Sequence, residues 1–157
     1  ILDGGRHLWD SVGRWILSPQ SEHGKVRRYL GDQGFTITRE DMVREEGQYY
    51  AVMEAVQRQP GESRGEPEQP LDPDLVQAGY LYGMRLIEQR NPVLMEFLER
   101  EERQLTGIVR ELAGQKNVRT VARSEELRQK LSWIKRAMEE MGVGAEHGDL
   151  HERRTVR

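Results

Sequence analysis

The sequence predicts a short α/β segment, the edge of a sheet, followed by an antiparallel pair of long helices. Three observations support this fold class. In the first 57 residues, runs of β-branched and aromatic residues alternate with one helical segment. A stretch rich in Pro, Gly and Glu then interrupts the pattern. Beyond it, Leu, Ile and Met recur at steps of three and four residues, which is typical of helices that pack on each other.

The first segment opens with a strand and a helix. The strand, residues 15–17 (WIL), is apolar and is ended by Ser18-Pro19, so we expect a buried strand that stops at a functional edge of the sheet. Residues 21–33 carry apolar side chains at helical spacing, and Gly34 follows them. We expect a helix of about three turns there.

Two further strands are predicted after this helix. Residues 35–37 (FTI), 42–43 (MV) and 49–53 (YYAVM) are strand-forming, and the EEG sequence at residues 45–47 separates them as a turn. A strand and a crossover helix that open onto an antiparallel pair are expected at the closing edge of a doubly wound sheet. Three strands with one covering helix leave an apolar face open, so this segment is too small to be stable alone.

Composition divides the chain into four predicted regions. Residues 1–57 are assigned to the sheet-edge domain and residues 74–142 to a helical domain. Residues 58–73 between them are predicted to be a linker or a mobile loop, because residues 57–70 contain no large apolar side chain. Residues 143–157 lack periodicity and are predicted to be a disordered tail.

The helical domain carries clear helix signals. Asp72-Pro73 and Asn91-Pro92 are each an N-cap residue followed by proline. A first heptad seam consists of Leu94, Leu98, Glu101, Leu105, Ile108 and Leu112. A second seam, on a helix predicted to be capped at Ser124, consists of Leu127, Leu131, Ile134, Met138 and Met141. Because residues 114–123 form a short polar connection, we expect the two helices to fold back as an antiparallel coiled-coil hairpin.

The composition excludes several kinds of site. Cysteine is absent, so disulfides, thiolate metal sites and thiol nucleophiles are excluded. His147 and His151 have the spacing of a metal pair, but Gly148 lies between them in a polar tail, and we assign no metal site. No apolar run approaches the roughly 18 residues of a membrane span, and we see no leader, so we expect a cytoplasmic protein without membrane contact.

Local basic surfaces have two interpretations each. The net charge of −3 gives no argument for nucleic acid from the whole chain. Lys25, Arg27 and Arg28 follow the first strand end, where open α/β sheets bind ligands, but an ordinary exposed helix face explains them equally well. Lys130 and Lys135 lie among glutamates, which favours a solvated mixed-charge face over RNA contact. The heptad pair by itself favours a packing or dimerisation device.

Four motifs occur in order along the chain: WILSPQ, HGKVRRYLGDQGFTIT, MVREEGQYYAVMEA and AGYLYGMRLIEQRNPVLMEFLEREERQL. Together they resemble the bacterial tRNA (adenine-22-N1)-methyltransferase family, often called TrmK, over about residues 1–141. The resemblance implies the C-terminal edge of a class I (Rossmann-like) sheet, S-adenosyl-L-methionine as cofactor, and a coiled coil that helps to dock tRNA. The family's glycine-rich cofactor loop is not among these motifs and the chain begins at Ile1, so we expect a fragment that is inactive alone.

The resemblance also implies site residues. The family's strand-end signature falls on Leu17, Ser18 and Pro19, beside the target base. Ser18 stands where the family usually has Gln, so Gln20 is the candidate substitute, and the candidate catalytic residues are Ser18, Pro19 and Gln20. The implied RNA-contacting cations are Lys25, Arg27, Arg28, Lys130, Lys135 and Arg136. We expect a monomer whose partner is tRNA; the alternative is a non-enzymatic hairpin module that dimerises or grips a protein.

Overall fold

The computed structural model of the chain describes residues 11–59, 61, 72–115 and 117–148, with side chains up to residue 142. It divides into two compact units, Ile1–Pro70 and Leu71–Arg157. The finer boundaries at residues 57, 73 and 142 stay predictions. The predicted tail at 149–157 lies outside the described residues.

A three-stranded sheet and one helix form the first unit. In chain order the elements are β1 (Arg14–Leu17), α1 (His23–Asp32), β2 (Phe35–Glu45) and β3 (Gln48–Gln57). The sheet order is β1-β3-β2, and β3 is antiparallel to both neighbours, so β1 and β2 run parallel on either side of it. The predicted strand, helix and antiparallel strand pair are confirmed.

One face of this sheet packs against α1. The buried cluster consists of Leu30, Phe35, Met53 and Ala55, with Trp15, Leu17, Val26 and Ile37 packed against it. The prediction that β1 is a buried strand is wrong, because the side chain of Ile16 is 71% exposed. In the described chain β1 pairs only with β3, so alternate residues of an edge strand face opposite sides and Ile16 faces solvent.

The β2–β3 turn follows from the sequence. Glu46 and Gly47 connect the strands and have φ of 48° and 80°. A two-residue hairpin loop with positive φ at both positions matches the right-handed twist of the strands, and Gly adopts that conformation without steric cost. The Glu-Gly pair therefore fixes the register of the hairpin.

An extra residue interrupts the pairing of β2 with β3. The register shifts between Ile37 and Arg39, which leaves Thr38 without a partner in the ladder. Because one inserted residue reverses the side that later residues face, Glu40 and Met42 are buried beyond the bulge. The bulge thus places a carboxylate on the side of the sheet that α1 covers.

Helices make up the second unit: α2 (Pro73–Ala78), a π-helical turn (Gly79–Gly83), α3 (Met84–Glu88), α4 (Pro92–Leu112) and α5 (Val118–Gly148). Both predicted N-caps are confirmed. Asp72 Oδ1 accepts from the amide of Asp74 at 2.9 Å. Asn91 Oδ1 accepts from the amides of Val93 and Leu94 at 3.0 Å.

The predicted start of the last helix is wrong. α5 begins at Val118, and Asn117 Oδ1 accepts from the amide of Thr120 at 2.8 Å, so Asn117 is the cap. Ser124 lies inside the helix, and the connection is residues 113–117 instead of 114–123. α5 continues to Gly148 despite Gly142 and Gly144, because glycines disfavour a helix by only about 1 kcal/mol each.

The two long helices contact each other. Their seam side chains Leu94, Leu98, Leu105, Leu127, Ile134 and Met141 are buried. Ile108, near the end of α4, is 42% exposed. The polar seam position Glu101 is occupied by an ion pair, with Lys130 Nζ 2.9 Å from Glu101 Oε2. A coiled-coil geometry for α4 and α5 stays a prediction.

Candidate functional site

The loop after β1 contains the three candidate catalytic residues. Ser18 and Gln20 are exposed, and Pro19 is half-buried. Gln20 Nε2 lies 3.5 Å from the carbonyl oxygen of Ser18, which is the long limit of a hydrogen bond. The hydroxyl and amide groups therefore remain accessible to a ligand, as an edge that contacts a base would require.

His23 is the first residue of α1 and follows this loop in the chain. Its ring is partly buried, and its Nε2 is buried without a hydrogen-bond partner among the described residues. Burial, followed by the charge of Arg27, lowers the pKa of His23 below its ordinary value of 6.5, and the backbone of Pro19 opposes this. The imidazole is therefore neutral at neutral pH.

Arg27 is a buried anchor of α1. Its Nε donates to Glu40 Oε1 at 2.8 Å, and the two side chains are 4% and 2% exposed. Buried charges are stable only when paired, so this ion pair locks α1 to β2 beyond the bulge. Arg27 cannot reach a phosphate from this position, and its predicted role in RNA contact is wrong.

The end of α1 is fastened by a residue that the sequence analysis did not identify. Arg58, just after β3, donates from Nη2 to the carbonyl of Gly31 at 2.9 Å and from Nε to the carbonyl of Gly34 at 3.2 Å. These bonds satisfy carbonyls that a helix end leaves without partners, and the cation complements the helix dipole. The C-terminal end of α1 is therefore tied to the residue that follows β3.

The other two predicted cations of α1 are exposed. Lys25 pairs with Glu22, in the turn that precedes the helix. Arg28 lies next to Arg27 in sequence but on the solvent side. Of these three neighbouring cations, Arg27 is therefore buried, and Lys25 and Arg28 are exposed.

A groove between α2 and α5 contains two of the predicted RNA-contacting cations. This α2–α5 groove is lined by Asp74, Arg128, Leu131, Ser132, Lys135, Arg136 and Glu139. Lys135 is exposed in it, whereas Lys130 lies outside it, paired with Glu101. Arg128 Nη1 is 3.8 Å from Glu125 Oε2, a long ion pair between exposed side chains.

Two aspartates at the start of α2 bind side chains of α5. Arg136 donates to Asp72 Oδ2 at 2.7 Å and to Glu140 Oε2 at 2.9 Å. The hydrogen bond from Arg136 lowers the pKa of Asp72. Asp74 accepts from Ser132 Oγ at 3.0 Å and Trp133 Nε1 at 3.1 Å. Arg136 therefore positions α2 as well as lining the groove.

The described residues do not form a cofactor cradle. The end of β1 carries Ser18-Pro19 where backbone approach to a cofactor would need glycine. Gly34 instead follows the helix α1, and Gly47 is part of the β2–β3 turn. Among the described residues, no three acidic or histidine side chains gather as a metal site. None of the described helices has the length and apolar character to cross a membrane.

One structural residue, Arg27, could have been recognised as buried from spacing. Arg27 falls between Val26 and Leu30 on the apolar stripe of α1, so its burial was readable from helical periodicity. A buried arginine needs a carboxylate, but nothing local in sequence selects Glu40, which lies 13 residues away. The same holds for Arg58, whose partners are 24 and 27 residues distant.

The sequence model of the family described as TrmK, tRNA (adenine(22)-N(1))-methyltransferase, matches residues 1–139. No curated protein sequence matches the chain. Several solved structures share its fold at identities too low to show more than the fold.

An uncharacterized protein of Listeria monocytogenes has a TM-score of 0.72 and 17% identity, over 87% of this chain and 56% of that one. The Bacillus subtilis M1A22 tRNA methyltransferase TrmK has a TM-score of 0.66 and 21% identity, over 87% and 56%. TrmK from M. capricolum, solved with S-adenosyl-homocysteine, has a TM-score of 0.64 and 16% identity, over 89% of this chain and 55% of that one. The chain thus spans about half the length of these proteins. Its fold is that of Rossmann-like methyltransferases, and the match over residues 1–139 shows that it belongs to the TrmK family of tRNA (adenine(22)-N(1))-methyltransferases.

Proposed function

We propose that this chain is part of a bacterial tRNA methyltransferase that transfers a methyl group from S-adenosyl-L-methionine to N1 of an adenine. The observation that carries the proposal is the family match over residues 1–139. The cofactor enters through that family, since the M. capricolum relative was solved with the demethylated product. The cofactor-binding half lies outside the described residues, so this chain supplies the target side of the site and no step through the cofactor is assigned to its residues.

The loop of Ser18, Pro19 and Gln20 is proposed to orient the target adenine. Adenine N1 already carries an in-plane lone pair, so the main demand on the protein is positioning. The hydroxyl of Ser18, the amide of Gln20 and the backbone carbonyls of the loop offer donors and acceptors to a base edge. Gln20 takes the place of the glutamine that the family usually has at the position of Ser18.

The α2–α5 groove is proposed to bind tRNA phosphate. Lys135 presents an exposed ammonium there, and Arg128 and Arg136 line the same groove. Lys25 and Arg28, on the exposed side of α1, are proposed to contact phosphate near the target base. Arg27 takes no part, because it is buried against Glu40.

The chain by itself is proposed to be inactive, monomeric and cytoplasmic. The test is a methyl-transfer assay with labelled S-adenosyl-L-methionine and unmodified bacterial tRNA. The chain is assayed alone and together with the N-terminal half of a solved relative. We expect N1-methyladenine only in the combined sample. Binding of S-adenosyl-L-methionine to this chain alone, measured by calorimetry, would contradict the proposal that the other half of the enzyme binds the cofactor.

Variants of the loop sharpen this assay. In the combined sample, Ser18→Ala and Gln20→Ala should each reduce methylation, with the larger loss for the side chain that contacts the base. Asp32→Ala, an exposed change at the end of α1, is the matched control and should leave methylation unchanged. Equal activity of all three variants would remove Ser18 and Gln20 from the site.

A non-enzymatic interaction module is the second candidate. Val118 and Val121, near the start of α5, are 86% and 60% exposed, and such apolar side chains favour a partner surface. This candidate predicts association that depends on protein concentration and is indifferent to RNA. Sedimentation as a monomer, together with methylation in the combined sample, would exclude self-association through these valines.

A further inference from the structure

The β2–β3 hairpin extends past the end of β1. The last residue of β1, Leu17, pairs with Met53, and the ladder between β2 and β3 continues beyond that level to the pair Glu45–Gln48. The candidate loop of residues 18–20 leaves the sheet where β1 ends and leads into α1. The end of the hairpin therefore projects beyond the level at which this loop begins.

Tyr49 lies on the face of the sheet against which α1 packs. Ala51 and Met53, which alternate with it along β3, are buried, and Met53 belongs to the cluster between the sheet and α1. At the usual rise of about 3.3 Å per residue, Tyr49 lies roughly 13 Å beyond the level of Met53. Because the loop leads from β1 to α1, it passes onto the same face. Tyr49 and the loop therefore lie on one face of the sheet, at the same end.

Arg44 contacts the Tyr49 ring. The two residues are directly opposite each other in the ladder, and the guanidinium carbon of Arg44 lies 5.7 Å from the centroid of the ring. This distance is within the range of a cation–π contact. Arg44 is exposed and Tyr49 is partly exposed, so an aromatic ring and a guanidinium group reach the surface together. Flat groups of these two kinds stack on RNA bases that have left their own stack.

We propose that Tyr49, supported by Arg44, is the surface on which the target adenine stacks. An adenine that is turned out of the RNA stack presents an edge and two flat faces. The hydroxyl of Ser18 and the amide of Gln20 can bind the edge, but the loop has no aromatic side chain for a face. Tyr49 supplies that face and positions the base. The inference rests on the proposed methyltransferase function.

The first test needs only this chain. Fluorescence anisotropy compares the binding of an oligoadenylate with that of an abasic oligonucleotide of the same length. Tyr49→Leu should weaken oligoadenylate binding by about tenfold, because the stacking of a base on the ring is lost. Tyr49→Phe keeps the ring and should bind like the wild-type chain. The abasic strand should bind the wild-type chain and Tyr49→Leu equally, since phosphate contacts do not need the ring.

Tyr50→Leu is the matched control. Tyr50 is the next residue of β3, so its side chain lies on the opposite face of the sheet. Its replacement removes the same aromatic group and should leave oligoadenylate binding unchanged. Equal oligoadenylate affinities of Tyr49→Leu and the wild-type chain, or equal losses in the two leucine variants, would overturn the proposal. A loss of the same size for the abasic strand would also overturn it.

The second test is the combined methylation assay. Tyr49→Leu should lower kcat by about 10- to 100-fold with little change in the KM for tRNA, because the base loses its orientation while phosphate contacts still hold the tRNA. Tyr49→Phe and Tyr50→Leu should keep the activity of the wild-type chain. Full activity of Tyr49→Leu would overturn the positioning role.

Failure of the underlying function is recognisable separately. If the combined sample with the wild-type chain produces no N1-methyladenine, the proposed function fails. The comparison of oligoadenylate with the abasic strand still decides whether bases stack on Tyr49.

Discussion

The ion pair of Arg27 and Glu40 connects α1 to β2 inside the first unit. Replacing both partners of this pair and removing only one of them have different effects on the free energy of unfolding. A buried pair contributes little beyond an apolar pair of equal size, but removing one partner leaves an uncompensated charge in a low-dielectric interior. The consequence at the residue scale is a large difference between two adjacent arginines.

Arg27→Ala should therefore lower the free energy of unfolding by about 3–5 kcal/mol. Arg28→Ala, its exposed neighbour on the same helix, should change it by no more than about 0.5 kcal/mol. Urea unfolding followed by circular dichroism measures both. Arg27→Met with Glu40→Leu should recover most of the loss, and a single mutant as stable as the wild-type chain would show that the pair is solvated.

Acid should weaken the first unit through His23. Its folded-state pKa lies below the ordinary value of 6.5, so the unfolded chain binds the proton more readily. The stabilisation is therefore complete above pH 6.5 and is lost as the pH falls through the lower folded pKa. Unfolding free energies at pH 7.5 and pH 5.5 measure the loss. His23→Gln should make the stability of the unit nearly independent of pH across this interval.

At the scale of the element, the start of α5 shows that a local capping motif does not always mark the beginning of a helix. Ser124 followed by two glutamates is a strong N-cap signature, and it predicts the helix start seven residues too late. The helix extends to Asn117 because residues 118–123 contain no helix breaker and Asn117 offers a cap of its own. The Asp72 and Asn91 caps were predictable, because each is followed directly by proline.

Substitution distinguishes the two caps of α5. Asn117→Ala should destabilise the second unit by about 1 kcal/mol, because the amide of Thr120 loses its acceptor. Ser124→Ala should be neutral or slightly stabilising, since the Ser124 hydroxyl is buried without a hydrogen-bond partner among the described residues. Thermal unfolding of both variants is the measurement. A larger loss for Ser124→Ala would return the helix start to residue 124.

At the scale of the whole molecule, charge is largely neutralised within the chain. Among the cations predicted to contact RNA, these form ion pairs with carboxylates: Lys25, Arg27, Lys130 and Arg136. A cation held by a carboxylate contributes less to counterion release when RNA binds. The chain should therefore bind tRNA with a weak dependence on salt.

Filter binding to tRNA over a range of KCl concentrations tests this expectation. Each neutralised phosphate contributes about −0.9 to the slope of log Kobs against log salt, so we expect a slope between about −1 and −3. Lys135→Ala should reduce its magnitude by about 1. Lys130→Ala is the matched control, because its ammonium is held by Glu101. A slope near −5 would show that the paired cations also reach phosphate.

Sequence reasoning succeeded where a feature depends on near neighbours. The α1 helix, the Glu46-Gly47 turn and both proline-marked caps follow from local chemistry. It failed for Ile16, whose exposure depends on which strands pair with β1. For the candidate site, the loop at residues 18–20 stays a prediction, and sequence reasoning missed the pairing of Arg27 with Glu40 because the two residues lie 13 positions apart.

The β2 bulge also indicates where this family can change in length. Thr38 is the extra residue between the pairs Ile37–Ala55 and Arg39–Glu54. Loss of Thr38 would make these pairs consecutive in a regular ladder, with Glu40 still opposite the buried Met53 and able to pair with Arg27. In an alignment of relatives, we therefore expect lineages that lack this one residue to keep both the arginine and the glutamate.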